Sequence, residues 1–180
     1  VTGPGQEDAA LVAAARSGSD SAFARLVDRH QQAVRTFLRR VCANEADADD
    51  MAQETFLAAW SALDRLDDPS RLKSWLFGIA WRKAKTGARS AARSRAREQG
   101  WMEGRPTELD PKAEMKIAMD QALAELPPDQ RAAVALCLAG GWSHGDAAAL
   151  LEIPLGTLKS HVTRGRARLA ARLGVDNEPE

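Results

Sequence analysis

Apolar residues along this chain recur at three- and four-residue steps, the period of helices that bury one face. From a cap at Ser19 or Asp20, the residues Phe23, Leu26, Val27, His30, Val34, Phe37, Leu38 and Val41 trace such a face. A shorter helix, Glu7 to Arg16, precedes it. The next helix, from about Glu45 to Leu63, opens with acidic residues that suit the positive end of its dipole. Its buried side is expected at Ala48, Met51, Ala52, Phe56, Ala59 and Leu63, while Asp50, Gln53, Glu54, Leu57 and Ser61 form a separate, mostly polar face. A loop containing Asp67-Asp68-Pro69-Ser70 leads to a third long helix with Leu72, Trp75, Leu76, Ile79 and Ala80. These elements predict a compact helical domain ending near Arg95.

The period lapses between about Arg97 and Pro111, where glycine and proline replace it and Trp101 is the one anomalous residue. This stretch reads as a linker. From Lys112 the period returns through Met115, Ile117, Ala118, Leu123 and Leu126 and stops at Pro127-Pro128. Asp129 starts another helix, through Val134, Leu136 and Leu138, that ends at Gly140-Gly141. Ser143 and Asp146 then fit a capping box ahead of Ala147, Ala148, Leu150 and Leu151. Glu152-Ile153-Pro154 ends that short helix, because proline disfavours helical geometry in the residue before it. Pro154 and Thr157 suit the start of the last helix, where Leu155, Leu158, Val162 and Leu169 point one way and Lys159, Arg166 and Arg172 point out. This is the pattern of a helix-turn-helix, whose second helix fits the major groove of DNA. The fold class expected is all-α, with two small helical domains joined by a flexible linker.

Charge changes the picture through its distribution. Twenty-five basic residues balance 25 acidic ones, so the total does not flag a nucleic-acid binder. Yet Arg82, Lys83, Lys85, Arg89, Arg93, Arg95 and Arg97 run without an acidic neighbour, as do Lys159, Arg164, Arg166, Arg168 and Arg172. Acidic residues gather at Glu45 to Glu54, Asp64 to Asp68 and Glu98 to Asp129. Separate basic stripes and acidic patches suit more than one kind of partner. No apolar run is long enough to span a membrane, and VTGPGQEDAA lacks the features of a secretory signal, so the expectation is a cytoplasmic protein without membrane insertion. Cys42 and Cys137 sit at helical apolar positions and are expected as buried thiols.

Catalytic chemistry finds little support. His30, His144 and His161 lie in three different elements, without a motif that would set ligands on one face. The carboxylates Asp47, Asp49, Asp50 and Glu54 read as a solvated helix start rather than a magnesium site. No metal or cofactor is expected. Binding chemistry is well supplied: the last helix can neutralise phosphates, and Lys159, Ser160, Thr163 and Arg164 are spaced to face a groove, with His161 joining them or packing sideways. The first basic stripe lies beside Trp75, Phe77 and Trp81, a combination suited to unpaired DNA bases; the alternative makes Trp75 and Phe77 core residues, and for Trp75 that is the favoured reading.

Four ordered segments, DADDMAQETFLAAW (Asp47 to Trp60), SWLFGIAWRKAK (Ser74 to Lys85), LPPDQRAAVAL (Leu126 to Leu136) and GWSHGDAAALLEIPLGTLKSHVTRGRARL (Gly141 to Leu169), resemble the extracytoplasmic-function (ECF) group of bacterial sigma factors. The resemblance implies a sigma region 2 domain over residues 1–96, a linker over 97–111, a sigma region 4 domain over 112–175 and a tail at 176–180. It implies core RNA polymerase as partner, through the β′ clamp and the β flap, together with promoter DNA and an anti-sigma factor. By position, Asp50, Gln53, Glu54 and Leu57 match the polymerase-binding face. Leu66, Asp67, Ser70, Lys73, Arg82, Lys83, Lys85 and Thr86 match the reader of the −10 element, where a non-template base is flipped into a pocket. Lys159, Ser160, His161, Thr163, Arg164 and Arg168 match the reader of the −35 element. The chain departs from the family pattern at Asp67-Asp68-Pro69, at Arg82 where asparagine is frequent, at His161 where arginine is frequent, and at Thr163. The competing reading is a helix-turn-helix repressor or activator that binds duplex DNA without polymerase; an enzyme using the acidic cluster is a more distant one.

Overall fold

The computed structural model describes residues 4–42, 44–95 and 111–174, and every element assigned among them is helical. The chain divides into two compact units, Val1–Thr86 and Gly87–Glu180. The expected linker as far as residue 110, with Trp101, and the 176–180 tail lie outside the described residues, as do the side chains of Arg89, Arg93 and Arg95 and the whole of Arg97; Pro111, expected as the last linker residue, instead opens a helix.

The first unit is built on α1 (Pro4–Arg16), α2 (Asp20–Val41), α3 (Glu45–Ser61) and the start of α4 (Leu72–Arg95). Ser19 is the cap of α2, accepting from the Ala22 amide at 3.3 Å. From there Leu26, His30, Val34, Phe37, Leu38 and Val41 are buried as expected, with Ala22 joining them, while Phe23 and Val27 are only half-buried. Asn44 caps α3 by accepting from the Asp47 amide at 2.8 Å, a role its own side chain announces. Helix α3 stops two residues earlier than the pattern suggested. Leu63–Arg65 forms a 3₁₀ turn instead, with Leu63 still in the core. Leu11, Val12 and Ala15 of α1 pack in one core cluster with Leu26, Ala59, Leu63, Leu66, Leu72 and Leu76.

Two polar features of this core escaped the periodicity. Thr55 is fully buried, its hydroxyl donating to the Met51 carbonyl at 2.7 Å, which satisfies it inside its own helix. His30 is not a lone core histidine, because its Nε2 lies 2.8 Å from Asp8 Oδ2, and Arg29 Nε pairs with Asp8 Oδ1 at 3.1 Å. A carboxylate that is 7% exposed requires such partners, and they tie α1 to α2.

The second unit comprises α5 (Pro111–Ala124), α6 (Pro128–Val134), α7 (His144–Leu151) and α8 (Leu155–Leu173). Helix α6 runs on into a π-turn at Ala135–Ala139, and Gly141, at φ 67°, lets the Trp142 amide reach back to the Leu136 carbonyl. Ala122, Leu123, Leu126, Val134 and Leu169 form a core cluster, with Leu173 against it. Met115 and Ile117 were expected on a buried face but are 62% and 38% exposed; among the described side chains of α5, the buried ones are Ala122 and Leu123 in its last turn. Cys42 and Cys137 form no disulfide and are only half-buried; partial burial holds Cys137 above its ordinary pKa.

The helix-turn-helix has the expected elements, with its turn at Glu152–Pro154 as expected, and differs in the details of its caps. The Asp146 amide donates to Ser143 Oγ at 3.1 Å, and the carboxylate of Asp146 accepts from that hydroxyl at 2.7 Å rather than from the cap's amide. Glu152, at φ 57°, ψ 43°, takes the left-handed position that ends α7, while the Ile153 amide closes on the Ala148 carbonyl at 3.1 Å. Pro154 is the cap residue of α8, so Thr157 lies inside the helix and caps nothing. Leu155 is 46% exposed: as the first residue of α8 it precedes the stripe that begins at Leu158.

Candidate nucleic-acid and polymerase interfaces

The buried stripe of α8 is Leu158, Val162, Gly165 and Leu169. The other side of the helix therefore presents Lys159, Thr163, Arg164 and Arg168 to solvent, with Ser160 and His161 half-buried. His161 packs sideways: its Nδ1 is buried and makes no hydrogen bond within the protein. Two of the helix's cations are steadied by neighbours. Arg168 Nη1 donates to Gln130 Oε1 at 3.3 Å, and Arg172 Nε to Glu125 at 3.1 Å. Lys159 and Arg164 lie in the N-terminal half of α8, the part that enters a major groove in this motif. Six of six predicted positions thus share one helix, while His161 offers only part of its ring.

In the first unit the loop from Leu66 to Lys73 is shaped by Asp68. Its Oδ1 accepts from the Ser70 hydroxyl at 2.6 Å and from the Ser70 amide at 2.9 Å. Those two donors, the hydroxyl foremost, hold the Asp68 carboxyl below its ordinary pKa. Asp67, Ser70 and Lys73 are exposed, but Leu66 is 4% exposed and belongs to the core. Leu66 is thus a root of the loop and not a side chain that can touch a base. Along α4, Arg82, Lys85 and Thr86 are exposed. Lys85 Nζ lies 5.6 Å from the Trp81 ring centroid, within cation–π range. The Thr86 hydroxyl donates to the Arg82 carbonyl at 3.0 Å.

The aromatic platform suggested for unpaired bases is absent from this face of α4. Phe77 and Trp81 are 4% and 5% exposed, and Trp75 is packed against the core. Phe77 stacks on Phe37 with centroids 5.4 Å apart. Helical spacing alone could not separate a stacking row from a buried row, because both repeat every three or four residues.

On α3, Asp50, Gln53, Glu54 and Leu57 are all exposed, Leu57 at 69%. Beside them a groove of about 380 Å³ runs between α2 and α3, lined by Phe23, Val27, Phe56, Leu57 and Trp60 among others. Trp60 is 40% exposed, with its ring centroid 4.6 Å from that of Phe23. The sequence signal for this groove is Leu57 and Trp60 three residues apart on the outer face of α3, of which Leu57 alone was expected on that exposed face. Glu54 also pairs with Lys83 of α4 at 2.8 Å, joining the carboxylate face to the basic helix. Asp47 is held by the Asn44 side chain and Asp49 faces Arg39 at 3.5 Å. Among the described residues no group of acidic, histidine or cysteine side chains is placed to hold a metal ion.

Residues 26–94 match the family model for Sigma-70 region 2, and residues 116–169 match Sigma-70, region 4. RNA polymerase sigma factor CnrH of Cupriavidus metallidurans is 32% identical over 97% of this chain and 98% of its own length. This chain belongs to the ECF RNA polymerase sigma factors. ECF sigma factor SigM of Mycobacterium tuberculosis is 33% identical, covering 96% of this chain and 87% of its own. Among solved structures, CnrH in complex with the cytosolic domain of CnrY superposes with a TM-score of 0.72, over 95% of this chain and 99% of that one. The sigma factor RpoE in complex with the anti-sigma factor NepR from Bartonella quintana gives 0.73 at 31% identity, over 86% and 98%. Sigma factors are regulatory subunits of RNA polymerase. As for the membrane, no described helix of this sigma factor is long and apolar enough to cross one.

Proposed function

We propose that this ECF sigma factor divides promoter recognition between its two units, with no catalytic centre of its own, and works in the cytoplasm. Region 2 spans residues 1–96 and region 4 spans 112–175, joined by 97–111. The face of Asp50, Gln53, Glu54 and Leu57, extended by the Phe23–Trp60 groove, docks on the β′ clamp of core polymerase; region 4 engages the β flap. The loop Asp67–Lys73 with Arg82, Lys83, Lys85 and Thr86 contacts the −10 element as it opens. Lys159, Ser160, Thr163 and Arg164 read the −35 element, with His161 beside them and Arg168 on phosphate.

One observation carries this reading. Both sigma family regions occur in order on separately packed units, and each unit exposes the polar face its role requires. Carboxylates beside an apolar groove suit a protein partner, because apolar surface supplies affinity and charge supplies orientation. An all-cationic helix face suits phosphates. The solved relatives bound to CnrY and to NepR support an anti-sigma partner for this chain as well.

Core polymerase supplemented with this protein and challenged with a genomic promoter library is the direct test. Discrete transcripts that depend on the protein are expected, and none should appear with Glu54→Lys, which reverses charge on the polymerase face. Absence of dependent transcripts together with tight duplex binding by the protein alone would establish the repressor reading instead.

A further inference from the structure

The matched region 2 begins at residue 26, so helix α1 lies outside it. Yet α1 contributes Leu11, Val12 and Ala15 to the core cluster that contains both Leu66 and Leu72, the two ends of the −10 loop. From the last turn of α1, the Arg16 guanidinium reaches the backbone where that loop begins. Its Nε and Nη2 donate to the Leu63 carbonyl at 3.2 and 3.0 Å, and Nη2 also donates to the Leu66 carbonyl. One planar fork therefore grips both ends of the turn that delivers the chain into Asp67–Lys73.

We propose that Arg16 is a positioning residue for promoter opening, fixing the root of the −10 loop on α1. The inference rests on the −10 assignment made above. Asp68 and Ser70 bond to each other, and the Asp68 carbonyl accepts from the Arg71 amide, so these bonds shape the loop locally without tying it to the domain. The loop is anchored at its ends by the buried side chains of Leu66 and Leu72, and Arg16 adds a hold on Leu66 by its backbone. A guanidinium presents several donors in a rigid plane, whereas a lysine ammonium on a flexible stem cannot hold two carbonyls in the same fixed geometry. Recognition of a base drawn from the duplex needs its pocket held to within about 0.5 Å, so loosening the root blurs the reading without removing any DNA contact.

The test uses the full-length protein with core polymerase on a promoter identified by the transcription experiment. Holoenzyme formation is followed by fluorescence anisotropy and promoter opening by 2-aminopurine fluorescence. Both are measured at a temperature where circular dichroism shows every variant folded. Arg16→Ala is expected to bind core polymerase normally, to open the promoter about tenfold more slowly, and to discriminate less between the cognate and a substituted −10 base. Arg16→Lys should fall between wild type and Arg16→Ala. Asp8→Ala, which loosens α1 by removing its pairs with Arg29 and His30 of α2, separates positioning from stability: it should lower the melting temperature yet keep base discrimination. Opening and discrimination by Arg16→Ala equal to wild type would overturn the proposal, as would an equal loss in Asp8→Ala. Should the wild-type protein itself form holoenzyme yet open no promoter, the −10 assignment fails and the role of Arg16 with it.

Discussion

Replacing Gly165 with alanine tests whether the region 4 packing is understood. In an open helical position this change is favourable by about 1 kcal/mol, since glycine is the costlier helix residue. Gly165 is not open. An added Cβ would stand 2.4 Å from Val134 Cγ2, with Leu126 Cδ1 and the Gln130 carbonyl at an ordinary 3.7 Å. Carbon atoms prefer about 3.5–4.0 Å, so α8 and α6 must separate by roughly 1 Å or Val134 must rotate. Rotation is resisted because valine in a helix has one strongly preferred rotamer. Overpacking of this kind costs about 1–3 kcal/mol, which outweighs the propensity gain and leaves a net loss near 1 kcal/mol.

Hydrogen exchange read by mass spectrometry on the full-length protein checks this locally, through peptides from α6 and α8, with region 2 peptides as an internal reference. Protection should fall in α6 and α8 and stay unchanged in α2. Val134→Ala alone should also destabilise, by about 1 kcal/mol or more, through the cavity it leaves. In the Gly165→Ala background that same substitution relieves the clash, so the two changes should be non-additive by about 1 kcal/mol. A rise in α8 protection with Gly165→Ala alone would refute the argument, because it would mean that the two helices do not meet at this point.

Glu152→Gly should raise the stability of region 4 by about 1 kcal/mol, since a side chain in left-handed geometry costs roughly 1–2 kcal/mol; Glu152→Ala, which keeps the Cβ, should show no such gain in thermal unfolding. Arg164→Ala should cost about 1–3 kcal/mol at one −35 position, whereas Arg168→Ala should weaken holoenzyme binding uniformly and lower its salt slope, as read by anisotropy across promoter variants. Ser70→Ala removes the leading donor to Asp68, so the Asp68 carboxyl should titrate closer to its ordinary value by NMR. The sign follows from linkage: a depressed carboxyl stabilises the turn above its unfolded pKa, and that support is lost as pH falls through the folded value, a window that Ser70→Ala should narrow.

Features governed by local period and composition were readable in the sequence. Helix α2 shows its buried face in seven residues, and the split of α3 into a packed side and the exposed Asp50–Leu57 side follows from the same 3.6 repeat. Features governed by where a second element lands were not. Phe77 and Trp81 have the spacing of a stacking row and the surroundings of a core. Met115 carries an apolar signature on the part of α5 that is left exposed. Pro154 announced the turn that begins at Glu152, but its left-handed geometry was not announced, because glycine usually marks such a position. The His30–Asp8 pair joins residues 22 positions apart, beyond the reach of any helical pattern.

Arg16 shows the sharpest form of this limit. A side chain that grips other side chains leaves a trace at both ends of the contact, because both residue types are constrained. A side chain that grips carbonyls leaves a trace only at its own end, since every residue supplies the same acceptor. In sequence, Arg16 is one basic residue in the last turn of a short helix, where a cation is favoured by the helix dipole alone. The two explanations predict different consequences for the conservative replacement. Arg16→Lys keeps the dipole interaction and the helix propensity in full, and loses only the fork across Leu63 and Leu66. A deficit in promoter opening by Arg16→Lys, with the stability of α1 intact, therefore separates the carbonyl clamp from the dipole.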